Sequence, residues 1–271
     1  MQLRGEDMAS PLYRPLSLAP HAWPGALITF CGVDGSGKTS LIEGITTACR
    51  TAGYTCLKTH TPTRRIRQDP VFRAMVGDPC TTSTPSGSSY DSAGHVNVLG
   101  MLLSIMGDLI QHTTDTIIPA LRRGEVVLCD RYVFTSQAEI GARSDLHETG
   151  PVLAGIAAHV LQPDAAFGLA VFGETSSRRV HARNDRNDMA PPRDFLERQV
   201  NAYRAVFEAN GVVVIDTERE AAETLASALA RLRTIKRLSR LGNQSSADSL
   251  ATGAQARNAW SSVVSRLPTL L

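Results

Sequence analysis

The sequence predicts an α/β fold in which helices flank a central parallel sheet. Short continuous apolar runs alternate with segments of helical periodicity, which is the pattern of strands buried on both faces. A glycine-rich turn joins the first of these runs to a helix. The length of 271 residues, with 42% hydrophobic and 20% charged side chains, suits one large globular domain of this class.

The first strand–turn–helix unit opens the predicted domain. Residues 26–31 predict an apolar strand, residues 32–38 a glycine-rich turn, and residues 39–51 a helix that Gly53 ends as a C-cap residue. Residues 54–58 follow as a short second strand.

The remaining elements follow the same two patterns. Residues 81–94 are rich in Ser, Thr, Pro and Gly and predict a loop, whereas residues 96–121 predict one long helix or two. Three further strands and a closing helix are predicted, in chain order, at residues 126–129, 169–172, 212–215 and 220–238.

The two ends of the chain depart from this pattern. Residues 1–24 are punctuated by prolines and lack periodicity, so we interpret them as an N-terminal extension to a domain at residues 25–238. Residues 239–271 turn to Gly, Asn, Gln and Ser before a weak helical pattern at residues 251–267. This tail is predicted to be either disordered or a short helix.

Composition excludes several classes of function. The 28 basic side chains nearly balance the 26 acidic ones, for a net charge of +2, which argues against a protein that coats nucleic acid or an anionic membrane. No segment has the pattern of a membrane span or a signal peptide. The five cysteines lack a framework or C-x-x-C spacing, so we expect reduced thiols, a cytoplasmic location and neither a zinc nor an iron–sulfur site.

A phosphate-binding motif lies in the first glycine-rich turn. Residues 32–39, Gly-Val-Asp-Gly-Ser-Gly-Lys-Thr, match G-x-x-x-x-G-K-[ST] between a strand and a helix. Backbone N–H groups of such a loop bind phosphate, the lysine reaches the β- and γ-phosphates, and the threonine hydroxyl binds Mg²⁺. This P-loop predicts an ATP site that comprises Gly32, Val33, Asp34, Gly35, Ser36, Gly37, Lys38, Thr39 and Ser40.

A second motif follows the strand at residues 126–129. Asp130 ends this strand, and an acidic residue in that place holds Mg²⁺ through water beside Thr39. Arg131 comes next and would project over the same crevice. The alternative is that Asp130 forms a salt bridge at the strand end. The occurrence of this motif together with a P-loop favours the magnesium-binding interpretation.

Arginines are concentrated between residues 178 and 193. Only two aspartates offset five arginines there, namely Arg178, Arg179, Arg183, Arg186 and Arg193. Such a run is usually a solvated helix face. In a P-loop protein it predicts a lid, at about residues 173–194, whose arginines neutralise the charge that develops during phosphoryl transfer.

Taken in order, these motifs resemble thymidylate kinase. The resemblance rests on residues 25–39 around the P-loop, on residues 61–64 (Thr-Pro-Thr-Arg), and on residues 117–132 (Ile-Ile-Pro-Ala-Leu-Arg-Arg-Gly-Glu-Val-Val-Leu-Cys-Asp-Arg-Tyr). The arginine-rich segment and residues 195–203 continue it, so that it covers about residues 25–235. It implies the P-loop kinase fold with an Arg-rich lid.

The resemblance also implies an activity, a nucleoside monophosphate kinase that uses ATP and Mg²⁺, with a homodimer expected by analogy alone. It implies that Arg64 and Arg131 grip the phosphate of the acceptor and that Asp34 holds the 3′-hydroxyl of its sugar. Arg178, helped by Arg183 or Arg186, would bridge the donor and acceptor phosphates. Arginines suit this task because guanidinium groups bind phosphate bidentately.

Five residues are expected to carry out the phosphoryl transfer. The catalytic residues would be Lys38, Arg131 and Arg178, and Mg²⁺ would be bound by Thr39 and Asp130. We assign no general base, because the acceptor phosphate is already ionised.

The acceptor pocket departs from the family pattern. The family's thymine-binding arginine is Leu109 here, and its base-stacking aromatic residue is Ile105. The Tyr and Gln that follow the D-R-Y run are Glu139 and Ile140, and Cys31 replaces the glutamate before the P-loop. Because a polar base site rejects ligands that leave its groups unpaired, we hypothesise a small phosphorylated acceptor other than dTMP.

Several alternatives stay open. One is a dTMP kinase proper, either with a divergent pocket or with the family's base-binding residues matched by other positions of the same helix. A second is a small-molecule or nucleoside kinase that phosphorylates a hydroxyl with Asp34 or Glu139 as base. A third is a nucleotide-binding regulatory ATPase without an acceptor. Glu139 would either accept a hydrogen bond from an amino group or face solvent.

Overall fold

The computed structural model describes residues 13–75, 98–143, 149–182 and 193–242. Its sheet has five parallel strands in the order β2-β3-β1-β4-β5. The strands are β1 (Ala26–Cys31), β2 (Cys56–His60), β3 (Val126–Asp130), β4 (Ala165–Ala170) and β5 (Val213–Asp216).

Helices connect these strands. The α-helices of the described ranges are α1 (Lys38–Thr51), α2 (Arg64–Gln68), α3 (Pro70–Met75), α4 (Val98–His112), α5 (Ile118–Arg122), α6 (Val133–Arg143), α7 (Thr149–Ala157), α8 (Gly173–Ala182), α9 (Arg193–Asn210) and α10 (Ala221–Leu232). A π-helical stretch, Thr113–Ile117, joins α4 to α5. A 3₁₀ stretch, Lys236–Gly242, follows α10.

Apolar side chains bury the sheet on both faces. One core contains residues of α4, α5, α6 and α9, and a second contains residues of α1, α10 and the 3₁₀ stretch. Each of the six residues of β1, the central strand, is buried, as in a parallel sheet covered on both sides. The predicted α/β class with a parallel sheet is therefore confirmed.

The strand register brings the two sequence motifs together. Phe30 of β1 pairs with Asp130 of β3, so the P-loop after β1 and Arg131 after β3 start at the same edge of the sheet. The backbone N–H of Thr61, just after β2, donates to the Asp130 carbonyl over 3.0 Å. Ligands of open parallel sheets bind at this carboxyl edge.

Most element predictions agree with the structure. The strand predicted at residues 26–31 is confirmed, and β2 and β5 begin two residues and one residue later than predicted. The segment predicted as one or two helices at residues 96–121 is α4, the π-helical stretch and α5. The closing helix ends at Leu232, before its predicted end at residue 238. The predicted loop at residues 81–94 and tail helix at residues 251–267 lie outside the described residues.

The strand predicted at residues 169–172 is wrong by several residues, because β4 lies at Ala165–Ala170. Its first half lacks the branched apolar side chains that mark a strand in a sequence. A Cβ atom on Gly168 would lie 2.5 Å from the ring of Phe207 on α9. Close packing of α9, rather than strand propensity, therefore explains the small residues of β4.

Residues 13–24, interpreted above as an extension, pack against the domain. The backbone N–H of Ala19 donates to the carbonyl of Val160 over 2.8 Å, and the N–H of Gln162 donates to the carbonyl of Ala19 over 2.7 Å. Trp23 packs against the first core. These residues belong structurally to the domain.

Asp164, just before β4, connects residues 13–24 to the 3₁₀ stretch Lys236–Gly242. Its carboxylate lies 3.1 Å from Nε2 of His21, accepts the N–H of Leu27 over 2.9 Å, and pairs with Arg237 of the 3₁₀ stretch. Burial alone would raise the pKa of the Asp164 carboxyl, but the hydrogen bonds from His21 and Leu27 hold it below its usual value. The resulting stabilisation is present at neutral pH and is lost as the pH falls through that lowered pKa.

Asp164→Ala is expected to lower the free energy of unfolding by about 2–3 kcal/mol, because it leaves a guanidinium and a backbone N–H without their acceptor. Urea unfolding at neutral pH, followed by circular dichroism, measures this. As a control, Glu208→Ala removes an exposed carboxylate 3.9 Å from Arg204 and should change the value by less than about 0.5 kcal/mol. Equal effects of the two changes would contradict the connecting role of Asp164.

Two findings bear on the excluded function classes. No helix in the described part of the chain is long and apolar enough to cross a membrane. The same residues contain no cluster of three or more His, Cys, Asp or Glu that could hold a metal ion. Cys31 and Cys129 are buried, as their apolar surroundings predict, and the four cysteines of the described part carry free thiols.

Candidate active site

The P-loop turns sharply at the edge of the sheet. Gly35 and Gly37 have φ values of 77° and 90°, which disfavour residues with a side chain. A Cβ atom on Gly35 would lie 2.5 Å from the carbonyl oxygen of Ser176. The Ser176 hydroxyl donates to the carbonyl of Asp34, so α8 is held against the loop.

Lys38 is the first residue of α1, and only 7% of it is exposed. Its Nζ donates to the carbonyl oxygens of Gly32 and Val33 over 2.9 Å each and lies 3.9 Å from Oδ1 of Asp34. Burial, reinforced by the charge of Arg131, lowers the pKa of the Lys38 ammonium to about 8. An anionic ligand at the loop would favour the charged form.

Asp130 and Thr39 line a small cavity of about 80 Å³ together with Lys38. Within the described residues, Oδ1 of Asp130 is buried and has no hydrogen-bond partner, although an unpaired buried oxygen is costly. The Thr39 side chain is exposed at the same place. A carboxylate and a hydroxyl are ligands that suit a hard divalent cation such as Mg²⁺.

Arg131 adopts an unusual backbone conformation. Its φ of 66° lies in the left-handed region, which costs a residue with a side chain about 1–2 kcal/mol. Its N–H donates to the carbonyl of Phe30 over 2.8 Å, and its guanidinium, 18% exposed, pairs with Oδ1 of Asp34 in the P-loop. This conformation directs the side chain across the sheet edge toward the loop.

A cavity of about 410 Å³, hereafter the Arg131 cavity, opens beside this guanidinium. Asp34, His60, Arg67 and Arg131 line the part that adjoins the P-loop and β2. Its apolar walls are Phe72, Met101, Ile105, Tyr132, Ile140 and Val180, and Glu139 and Arg143 of α6 complete it. Its size and mixture of apolar and polar walls are those of a small-molecule site.

Two of the residues predicted on the acceptor side do not line the Arg131 cavity. Leu109 is 1% exposed and packs in the first core, whereas Ile105, one turn earlier on α4, lines the cavity. Arg64 is exposed, and Arg67 lines the cavity instead. Asp34, Arg131 and Glu139 line it as their predicted positions require.

The start of α2 is held against α4. Thr63 precedes the helix, and its N–H and Oγ1 donate to the carboxylate of Asp108 over 2.7 and 2.6 Å. Arg64 and Arg67 are both exposed on α2, although of the two only Arg67 lines the cavity.

Glu139 lies between α6 and α9. Both of its carboxylate oxygens accept from Nε2 of Gln199 over 3.0 Å, and Oε1 accepts from the Tyr203 hydroxyl over 3.3 Å. Nη2 of Arg143 lies 3.7 Å from Oε2. Burial and the charge of Glu139 raise the pKa of Tyr203 well above its usual value, so Tyr203 stays a neutral donor. Of the two positions predicted for Glu139, facing solvent is therefore wrong.

A second cleft, of about 710 Å³, adjoins the P-loop at Gly37 and Ser40. Arg179 of α8 lines it, as do residues 217–222 after β5. The Arg179 guanidinium donates to the carbonyl of Thr217 over 2.9 Å and to that of Gly35 over 3.4 Å. Its neighbour Arg178 is exposed and lines neither cavity, and Arg183 and Arg186 lie outside the described residues.

Sequence reasoning missed several side chains of these cavities. Arg67 lies one helical turn beyond Arg64, so extending the helix pattern from residues 61–64 would have pointed to it. Arg143 lies four residues after Glu139 on one helix, so helical spacing would have pointed to it. Gln199 has no local signal, because it meets Glu139 only in the folded chain. Residues 217–222 follow a predicted strand, and loops at carboxyl ends of strands are candidates by topology alone.

Comparisons of the sequence with known proteins point to one family. A family model described as thymidylate kinase matches residues 30–228. The chain is 29% identical to a thymidylate kinase of Bifidobacterium longum subsp. infantis over 216 residues, which are 79% of this chain and 88% of that protein. It is 31% identical to one of Verminephrobacter eiseniae over 210 residues, 73% and 86% of the two chains. A thymidylate kinase of Ligilactobacillus salivarius is 27% identical, over 77% of this chain and 97% of its own length.

Proposed function

Because the chain belongs to the thymidylate kinase family, we propose that it transfers the γ-phosphate of ATP onto the phosphate of a nucleoside monophosphate whose base differs from thymine. ATP occupies the cleft beside Arg179, and the acceptor occupies the Arg131 cavity. The observation that carries this proposal is the small cavity between them, which Lys38, Asp130 and Arg131 line together. A phosphoryl group passing between the two clefts would meet all three side chains.

Each residue of this proposal has one task. The Lys38 ammonium neutralises charge on the transferred group, because it is held beside the loop that binds phosphate. Arg131 releases Asp34 and clamps the acceptor phosphate, and Asp34 is then available to the sugar hydroxyl. Arg178 is proposed to act from the lid, at about residues 173–194, together with Arg183 or Arg186.

The residues present fit Mg²⁺. The unpaired Oδ1 of Asp130 and the exposed hydroxyl of Thr39 supply oxygen ligands on either side of the small cavity. Bound there with ATP, the ion would neutralise the β- and γ-phosphates. Asp130 and Thr39 would hold it, and Lys38 would complete the positive surroundings.

The altered base preference rests on the walls of the Arg131 cavity. Ile105 presents an aliphatic side chain where the family pattern has an aromatic ring. Leu109 has a hydrocarbon side chain without a donor, and it is buried in the core. A bidentate donor to a thymine carbonyl is therefore missing from α4. A dTMP kinase proper is the second candidate, favoured by the thymidylate kinase names of the relatives.

The proposal extends to the setting of the reaction. We propose a cytoplasmic enzyme that acts on small metabolites, without nucleic acid or membrane as partner and as a homodimer. The near-balance of basic and acidic side chains supports the absence of a nucleic-acid or membrane partner. The family resemblance supports the homodimer.

The experiment is an ADP-release assay with ATP, Mg²⁺ and a panel of acceptors: dTMP, dUMP, other monophosphates and free nucleosides. We expect faster turnover with at least one other monophosphate than with dTMP, and little turnover with nucleosides. Turnover with nucleosides alone would support a hydroxyl kinase, and release of ADP without any acceptor would support a regulatory ATPase. Either result would overturn the proposal.

Binding of ATP is expected to take up protons at a pH just above 8. The Lys38 ammonium has a pKa of about 8 in the free protein, so part of it is deprotonated there, and the phosphates of ATP raise that pKa. Calorimetry in two buffers of different ionisation enthalpy measures the uptake. Lys58→Met, which removes an exposed lysine, should leave it unchanged, and equal heats in both buffers would contradict the expectation.

A further inference from the structure

The part of the Arg131 cavity formed by α6 contains an ion pair among apolar walls. Glu139 and Arg143 both line the cavity, and their side chains are 19% and 20% exposed. Removing two charges from water is unfavourable unless hydrogen bonds compensate. The 3.7 Å separation of Oε2 and Nη2 is too long for a strong hydrogen bond, so this pair alone gives little compensation.

Neighbouring side chains hold both charges in fixed positions. Gln199 and Tyr203 donate to the Glu139 carboxylate from α9. The Arg143 guanidinium lies 5.0 Å from the ring centroid of Phe195, a stacking contact that restrains its plane. Both donors to Glu139 are neutral groups. The site is therefore prepared before a ligand binds.

This arrangement leaves hydrogen-bonding capacity for a ligand. A carboxylate has about four acceptor positions, and the two neutral donors from α9 do not fill them. The Arg143 guanidinium has five N–H donors, and this side chain is 20% exposed where it lines the cavity. The cavity wall thus presents a charged acceptor and a charged donor side by side, one helical turn apart on α6.

We infer that Glu139 and Arg143 select an acceptor nucleotide whose base carries an exocyclic amino group, as cytosine and adenine do. The inference rests on the proposed function and specifies its substrate class. An amino N–H can donate to Glu139, and the ring nitrogen beside it can accept from Arg143. Cytosine and adenine place these two groups next to each other.

The same pair disfavours thymine and uracil. In the position that cytosine would take, thymine and uracil present the C4 carbonyl oxygen to Glu139 and the ring N3–H to Arg143. Two acceptors that face each other without a proton between them repel, and a buried unpaired acceptor is costly. The site therefore distinguishes bases by whether an amino group or a carbonyl oxygen faces Glu139.

The test compares dCMP with dUMP, which differ at that position. For the unaltered enzyme we expect kcat/KM for dCMP to exceed that for dUMP by at least about tenfold, the effect of one hydrogen bond to a charged group, with dAMP as the purine comparison. Glu139→Gln keeps the size of the side chain but can donate to a carbonyl. It should lower the dCMP-to-dUMP ratio about tenfold or more. Glu208→Gln, at an exposed position of α9, should leave the ratio unchanged.

The outcomes separate this inference from the proposed function. Preference of the unaltered enzyme for dUMP over dCMP and dAMP would overturn the inference alone, whereas preference for dTMP would also overturn the non-thymine base of the proposed function. A Glu139→Gln variant that loses activity equally on dCMP and dUMP would overturn the inference alone, since a purely structural contact between α6 and α9 behaves in that way. Absence of turnover with every monophosphate would overturn the proposed function and the inference with it.

Discussion

Lys38→Met is expected to lower kcat by about a thousandfold with every phosphate acceptor. The Nζ atom lies within hydrogen-bond distance of two P-loop carbonyls, at the point where the two clefts meet. Removing one such charge from a preorganised site costs two to three orders of magnitude in rate, by about 3–4 kcal/mol of transition-state stabilisation. Steady-state kinetics with saturating ATP and acceptor measures the loss.

The same change should not unfold the protein. Burial already lowers the pKa of Lys38, which means that the folded state bears a cost for its charge. Methionine fills the same volume without that charge, so the melting temperature should stay the same or rise. Lys58→Met is the matched control, because Lys58 is exposed and pairs with Glu43 away from the site. A Lys38→Met variant with near-normal kcat would contradict the role of the P-loop in phosphoryl transfer.

Arg131→Gly is expected to lower kcat/KM for the acceptor about a hundredfold or more while leaving the protein as stable or more stable. Glycine accepts the φ of 66° at no cost, so the backbone hydrogen bond to Phe30 can persist while the guanidinium is lost. Loss of a bidentate clamp weakens the hold on the acceptor phosphate and misplaces it for transfer.

Two comparisons make the Arg131 prediction specific. Arg131→Lys keeps a positive charge but lacks the planar fork, and should recover only a small part of the lost activity. The KM for ATP should change little in both variants, because the second cleft does not include residue 131. Thermal unfolding and initial rates over an acceptor series measure these quantities. A variant that loses stability along with activity would contradict a role confined to the side chain.

The elements that could be predicted from the sequence are those whose structure is set by residues near one another in the chain. The P-loop motif defines a strand, a turn and a helix within a few residues, and β1 lies where the apolar run predicts. β4 could not be placed in this way, because its first half lacks branched apolar side chains and because Gly168 reflects the approach of the Phe207 ring from α9. That contact joins residues far apart in the chain.

The same distinction applies to the candidate site. Lys38 belongs to the P-loop motif after β1, and Asp130 and Arg131 lie at the end of β3. These three residues could therefore be predicted together. That Arg67 lines the cavity and Arg64 does not depends on how α2 lies beside the cavity. The bonds of Thr63 to Asp108 on another helix are part of that arrangement, and a local sequence pattern does not contain them.

The surroundings of Glu139 illustrate this most clearly. Gln199 and Tyr203 lie some sixty residues further along the chain, and Arg143 lies one turn further on the same helix. The sequence could identify Glu139 as a departure from the family pattern. Only the packing of α6 against α9 shows that its carboxylate faces a cavity.

The central claim, transfer of a phosphoryl group between two nucleotides, is tested most directly by following the label of [γ-³²P]ATP. The purified full chain is incubated with Mg²⁺ and each monophosphate, and the products are separated by chromatography. We expect the label to appear in a nucleoside diphosphate made from the acceptor, and we expect Lys38→Met to abolish this product. Label found only in inorganic phosphate would contradict phosphoryl transfer between nucleotides.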